Sequence, residues 1–305
     1  MAIQDRSDLA DALQDIAMRG MLSVARALPY RRRVPLMGWL ASRVVAPLAG
    51  WRGRIRENLA YARPDLPPEE VERLVRAVPD NVGRTLIELY SGAEFKNHVG
   101  GTPLTGPGAE ALAVARAEGR PVVLVTAHLG NFDALRATLF AEGYELAALY
   151  RPMNNARFND HYVRALSEIG TPLYPRSREG IVRYVRHLAN GGIVGILTDV
   201  YSAKGIDITF FGQPAPTSPA ACAWARKHGA VVIPCYGIRR DNGLDFDLLL
   251  EAPVPHRDEA EMTQEITDRL ERVVRAHMHQ WFWIHRRWKP ERRTRRRARR
   301  ARAAG

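Results

Sequence analysis

The hydrophobic positions change their period once along the chain. Through about residue 95 the apolar side chains recur at helical spacing. Ile3, Leu9, Leu13, Ile16 and Ala17 fit one helical face, though imperfectly. Asp65-Leu66-Pro67-Pro68-Glu69-Glu70 opens a helix, with prolines in its first turn and acids at the positive end of its dipole. That helix is predicted to run to about Ala77, and another to cover 81–93 with Leu86, Ile87 and Leu89 turned inward. Glycine and proline clusters at 100–103 and 105–108 interrupt the pattern, and a helix over 108–118 follows, capped by Gly119.

From residue 121 the pattern alternates. Residues 121–126 form a continuous β-branched run of the kind found in buried parallel strands. Further strands are predicted over 145–150, 171–174, 192–197 and 230–234, and helices over 132–141, 156–169, 180–188, 218–228 and 259–279. Segments 235–239 and 245–251 flank an Asp241-Asn242-Gly243 turn and read as a hairpin-like edge. The expected fold is α/β, with a mixed, mostly parallel central sheet of about six or seven strands flanked by helices. The division is a helical N-terminal region at 1–100, an α/β core at 101–290 and a disordered arginine-rich tail at 291–305.

One N-terminal stretch departs from an ordinary core helix. Val34 to Gly50 is 17 residues with a single charge, Arg43. A helix of that length covers about 25 Å, short of a clean membrane crossing. Arg31, Arg32 and Arg33 precede it, and Arg52, Arg54 and Arg56 follow. The pattern predicts an interfacial helix with its apolar face in lipid and arginines at the headgroups, and Trp39 and Trp51 at the same surface. Four acids in the first fifteen residues argue against the positive start of a signal peptide.

Composition adds two limits. At 46% hydrophobic the chain has material for a core, and two cysteines cannot build a disulfide framework. The net charge of +12 is concentrated: from Trp281 to Gly305 there are eleven basic side chains and one acid. Such a segment suits a polyanion. The interleaved Trp281, Phe282, Trp283 and Trp288 suit a membrane interface or stacked single-stranded bases equally well.

The chemistry concentrates at Thr126-Ala127-His128-Leu129-Gly130-Asn131-Phe132-Asp133. It follows a buried strand, and ligands bind beyond the carboxyl ends of strands in open α/β sheets. Gly130 permits a tight turn, Asn131 can cap the next helix, and Asp133 then falls in its first turn. From there Asp133 is expected to fold back on His128 and fix its tautomer, leaving the other ring nitrogen to take a proton. No serine or cysteine lies in the segment as a nucleophile, so the arrangement suits a substrate hydroxyl attacking an activated acyl group. Backbone amides over 130–132 are the expected oxyanion donors. A helix-capping aspartate beside an incidental histidine remains the alternative on these residues alone. Asp199 also follows a buried strand and faces the crevice. Arg151 and Arg164 are candidates to grip phosphate or carboxylate, as a guanidinium does well. Asn154, Lys204 and Gly205 are further candidates for substrate binding, Phe210 and Phe211 for an acyl groove, and Arg176 and Arg178 for meeting anionic substrate.

His128-Leu129-Gly130-Asn131-Phe132-Asp133 resembles the H-x4-D motif of glycerolipid-type acyltransferases. The ordered segments at 28–31, 56–59, 84–88, 151–155, 198–199, 204–205, 210–212, 216–217 and 283–289 resemble one branch, the lipid A biosynthesis acyltransferases. The resemblance covers about residues 25–290 and implies packed structure for 283–288. It implies transfer of an acyl chain from an acyl carrier protein thioester, with coenzyme A as another donor. The acceptor is a hydroxyl of an anionic lipid A precursor, giving an acyloxyacyl ester. No cofactor or metal is implied, and the place of action is the cytoplasmic face of a bacterial inner membrane, by peripheral contact or one N-terminal anchor. The family usually shows Asp-Gln where this chain has Asp199-Val200, and a fuller apolar anchor than 34–50. Two other readings stand: an acyltransferase with a phospholipid or other glycolipid acceptor, and, less favoured, a nucleic-acid binder using the tail.

Overall fold

The computed structural model describes residues 18–289 together with Ala12, Asp15 and Ile16. The arginine-rich tail and most of the first predicted helical face lie outside the described residues.

Nine strands form two sheets among the described residues. The main sheet has seven strands: β1 (Leu104–Thr105), β2 (Val122–Thr126), β3 (Leu146–Tyr150), β4 (Leu173–Pro175), β5 (Ile193–Leu197), β8 (Val231–Arg239) and β9 (Phe246–Leu250). Their spatial order is β1-β9-β8-β2-β5-β3-β4. β2 pairs in parallel with both β5 and β8, and β3 pairs in parallel with β5 and β4. Only β8–β9 is antiparallel. The mixed, mostly parallel sheet expected from the sequence is therefore present. The central strands are Val/Ile/Leu runs because helices cover both faces. β6 (Thr209–Phe210) and β7 (Gln213–Pro214) form a separate hairpin whose two turn residues, Phe211 and Gly212, both have positive φ.

Besides shifts of a few residues at element ends, two expected divisions of the chain are absent. Segments 230–234 and 235–239 join into the nine-residue β8, and β9 is not an edge, because β1 pairs with its outer side. Residues before and after Pro79 form one helix, α3 (Pro68–Leu89), rather than two. Tertiary packing overrides the proline. Ser42 Oγ donates to Arg76 O at 2.7 Å beside the interruption in the ladder. Before α3 run α1 (Tyr30–Leu40), a π-helical turn (Ala41–Val45) with a short continuation (Ala46–Leu48), and α2 (Trp51–Ala62). α1 crosses α3 at Gly83, where a Cβ would stand 2.3 Å from Met37 O, so only glycine allows that approach.

After α3 the helices are α4 (Ala93–Val99), α5 (Pro107–Ala117), α6 (Phe132–Ala141), α7 (Ala156–Ile169), α8 (Arg178–Ala189), α9 (Ala220–His228) and α10 (Glu259–Ala276). The N-terminal helices share the core with the sheet: Val34, Met37 and Ile87 pack in one cluster with Leu124 and Leu135. A second cluster joins Ile55 and Leu59 of α2 to Phe210, Phe211, Trp281, Trp283 and Trp288.

Candidate active site

Strand register builds the site. Thr126 at the end of β2 stands opposite Leu197 at the end of β5. Two residues further on, the two chains present His128 and Asp199 side by side. The His128 Nδ1 lies 2.9 Å from Asp199 Oδ1, and the His128 main-chain N–H donates to Asp199 Oδ2 at 3.0 Å. A third donor, the indole N–H of Trp281, reaches Oδ2 at 3.0 Å. Asp199 is 3% exposed while 35% of the His128 side chain remains open. The carboxylate is thus sealed behind an accessible imidazole. Among the described residues the His128 Nε2 makes no hydrogen bond, so it is the ring nitrogen free for a substrate proton. The rings of Phe132 and Phe282 flank it, with centroids at 5.7 and 5.8 Å.

The electrostatics follow from this packing. Burial pulls the imidazole pKa down, but the Asp199 charge and hydrogen bond outweigh it, and the net direction is upward. Burial pushes Asp199 up, and His128 together with its three hydrogen bonds holds it below the usual carboxylate range. Nearby His285 is pushed down to about 4, mainly by burial, and its Nε2 accepts from Tyr201 N–H at 3.3 Å.

The expected contact between His128 and Asp133 is corrected. Asp133 is buried under α6 and pairs instead with Arg136 one turn along, 3.3 Å from Nη1. Arg136 is held by Leu166 O at 3.1 Å and by Gly170 O. Asp133 N–H takes the side chain of Asn131, the helix N-cap, at 2.9 Å, so the cap itself is as expected.

The oxyanion donors expected at 130–132 are also largely spent. Gly130 N–H donates to Gln280 O at 3.1 Å and Asn131 N–H to Gly237 O at 2.9 Å. Only the Phe132 N–H, at the start of α6, has no acceptor among the described residues. Gly130 itself is required: its φ is +56°, and a Cβ would stand 2.0 Å from Gly237 O.

The turn is held from both ends of the chain. On α3, Asn81, Thr85 and Glu88 share one face. Asn81 and Thr85 donate to Gly130 O at 3.1 and 2.9 Å, and Glu88 accepts from Asn131 Nδ2 at 2.8 Å. Glu88 also forms a fully buried, two-pronged ion pair with Arg239 of β8, whose Nε donates to Asn81 at 2.9 Å. From the C-terminal side, residues 280–282 run antiparallel to 128–130: Trp281 bridges Leu129, and Phe282 N–H donates to His128 O at 3.0 Å.

The other candidates separate. Arg151, Asn154 and Lys204 are exposed in loops beyond β3 and β5, at the same carboxyl edge as His128; beyond β4, Arg176 is exposed in the loop and Arg178 is exposed as the first residue of α8. Arg164 is not beside Arg151. It sits eight residues into α7, about 12 Å along the helix, with its Nε on Asp160 O. Gly205 has no amide to offer: its N–H donates to Ser202 O, and its backbone packs on Thr217. Phe210 and Phe211 are buried, and their rings pack against Trp281, Trp283 and Trp288. Those tryptophans are likewise core, so neither lipid nor bases reach them. Arg33, expected at the membrane, is 1% exposed and pairs with Glu94. Arg31, Arg32, Trp39 and Arg43 are exposed, and Trp51 is half-buried. Sequence reasoning missed Asn81, Arg239 and Gln280. Their signal is only that they are polar residues embedded in apolar elements.

Among the described residues no group of three or more His, Cys, Asp or Glu is placed to hold a metal ion, and no helix is long and apolar enough to cross a membrane.

A mostly parallel sheet with a histidine–carboxylate pair at its carboxyl edge fits direct transfer between two bound substrates. The comparisons with known proteins make that class an O-acyltransferase working between an acyl donor and an acceptor lipid. The chain belongs to the bacterial lipid A biosynthesis acyltransferase family, whose pattern matches residues 6–290. It is 22% identical over 261 residues to a lipid A biosynthesis acyltransferase of Haemophilus influenzae, covering 84% of this chain and 81% of that protein. It is 25% identical over 281 residues to a phosphatidylinositol mannoside acyltransferase of Mycobacterium tuberculosis, covering 82% and 86%.

Proposed function

We propose that this chain transfers a fatty acyl group from an acyl carrier protein thioester to a hydroxyl of a lipid A precursor. The observation that carries the reading is the accessible His128 imidazole backed by the sealed Asp199. His128 Nε2 removes the acceptor hydroxyl proton as the oxygen attacks the thioester carbonyl. Asp199 holds the Nδ1–H tautomer and balances the imidazolium charge. The C–S bond then breaks, and the leaving thiolate takes the proton from His128. The Phe132 N–H is the one amide of the turn left to meet the developing oxyanion. Exposed Arg151, Asn154 and Lys204 meet the anionic headgroup.

The same reading places the enzyme on a membrane surface, at the cytoplasmic face of the inner membrane. Its support is an exposed apolar stripe over the N-terminal helices: Leu36 at 39%, Trp39 at 53%, Val44 at 44% and Leu48 at 85%. Exposed Arg31, Arg32 and Arg43 lie beside it.

A second reading, a phosphoinositol-type or other glycolipid acceptor, is favoured by the identity to the mycobacterial relative, which is no lower than that to the lipid A enzyme. Mass spectrometry of acyl transfer separates the two. Wild type and His128→Ala are incubated with acyl carrier protein thioesters and either tetra-acylated lipid A precursor or mannosylated phosphatidylinositol. A product heavier by one acyl chain on the first acceptor, absent with His128→Ala, supports the proposal. Product only on the second acceptor replaces it with the second reading.

A further inference from the structure

The carboxylate of Asp199 serves two sides at once. Oδ1 meets the imidazole, while Oδ2 takes two donors, the His128 main-chain N–H and the Trp281 indole N–H, each at 3.0 Å. Trp281 is 1% exposed and is fixed on several sides. Its ring meets Trp283 edge-on at 4.7 Å and Phe210 at 5.4 Å, and its backbone bridges Leu129. An indole so enclosed cannot turn its N–H elsewhere. It therefore removes the choice of which carboxylate oxygen meets the imidazole.

We propose that Trp281 is a positioning residue for the histidine–carboxylate pair: its N–H pins Asp199 Oδ2 and draws off part of the carboxylate charge, so that His128 is oriented as a base without being locked in its protonated form. This deepens the acyl-transfer reading and rests on it for the role of His128 as base. The physical case is one of balance. A buried carboxylate whose only partner is an imidazole exerts its whole charge on that ring and favours the imidazolium, which is useless for taking a proton. Each further donor on the carboxylate stabilises its anion and weakens that pull. The other titratable groups facing the pair come from the same C-terminal segment. Burial pushes His285 down to about 4, and the Arg287 and Lys289 charges push it the same way, while Arg287 also feels the Asp199 charge.

The test needs no substrate. The His128 ring is titrated by NMR in the full chain, in wild type and in Trp281→Phe, which keeps an aromatic ring in the box and deletes the donor. The expected result is an upward move of the His128 midpoint by about half a pH unit or more. In the transfer assay, the acid limb of kcat/KM moves with it and KM stays near its wild-type value. In unmodified protein, the Trp281 indole N–H resonance should follow the His128 midpoint while the other tryptophans do not. An indole signal that ignores His128, or a midpoint that stays or falls in folded Trp281→Phe, overturns the proposal. Failure of the acyl-transfer reading would show separately, as wild type that titrates as expected and yields no acylated lipid.

Discussion

His128 Nδ1 and Asp199 Oδ1 meet at 2.9 Å across 71 positions of sequence, because β2 and β5 are parallel neighbours in register. The pairing is therefore a property of the sheet and not of the local motif. Asp199→Asn should cut kcat by about 10²- to 10⁴-fold, the usual worth of an oriented general base, and lower the His128 midpoint, since burial then acts unopposed. Asp133→Asn should leave that midpoint in place and act through its buried contact with Arg136, seen as a lower thermal midpoint. NMR titration of His128 in the two variants checks both outcomes.

The pH dependence has a defined sign. In the proposed mechanism His128 works as a base only when neutral, and its folded pKa lies above the ordinary 6.5. Activity should climb with pH on the acid side, with a midpoint above 6.5. For stability, the raised His128 contributes fully below 6.5, and that contribution is lost as pH rises through the folded value. The lowered Asp199 contributes above 3.8, and that is lost as pH falls through its folded value. The stability gap between wild type and Asp199→Asn should be widest between those two reference values. Urea melts across pH measure it.

Glu88 and Arg239 are an ion pair with side chains 0% and 5% exposed. Removing one partner strands the other charge in the interior. Glu88→Gln should cost about 3–5 kcal/mol in urea unfolding. Because Glu88 also anchors Asn131, the variant should lose activity at temperatures where it is still folded.

Gly130→Ala forces a side chain into a left-handed backbone and against Gly237 O. Stability should fall by at least about 2 kcal/mol. Transfer activity should fall to background, because the turn that carries His128 has to move.

Trp39 and Leu48 are too exposed to support the core. Trp39→Glu with Leu48→Glu should leave the thermal midpoint within a degree or so and weaken binding to anionic vesicles about tenfold or more. Flotation with phosphatidylglycerol vesicles reads this directly, and added salt should weaken wild-type binding through the neighbouring arginines.

The helices at 132–141 and 156–169 were legible to the residue, because an asparagine cap and an apolar face mark each one locally. The cores of β2, β5 and the first half of β8 were legible as runs rich in Val and Ile, whereas the two-residue strands β1, β6 and β7 carried no such run. The break expected between Ala77 and residue 81 is absent: α3 runs straight through Pro79, where the packing of α1 on α3 holds the helix together. At the site, His128 and the crevice position of Asp199 could both be read from strand ends. Their partnership could not, because the sequence does not state that β5 is the neighbour of β2. Proximity along the chain favoured Asp133 instead. The Phe210–Phe211 pair shows the same limit: composition marks it as aromatic, and only the fold decides between a wall and a groove. Arg239 and Asn81 stand 158 positions apart and bond at 2.9 Å, a contact no periodicity reports.

The antiparallel strap of residues 280–282 against 128–130 has a consequence for the making of the protein. A ribosome completes the histidine turn long before it adds Trp281. Until then the turn lacks its partner strand, the acceptor for Gly130 N–H and the donor that pins Asp199. Domains begin folding from the N-terminus during synthesis, but the His128–Asp199 pair cannot be completed in that order. An unfinished chain, or one clipped just after α10, carries the motif without the strap that holds it. The pair is thereby left incomplete until the polypeptide has been made through Trp281.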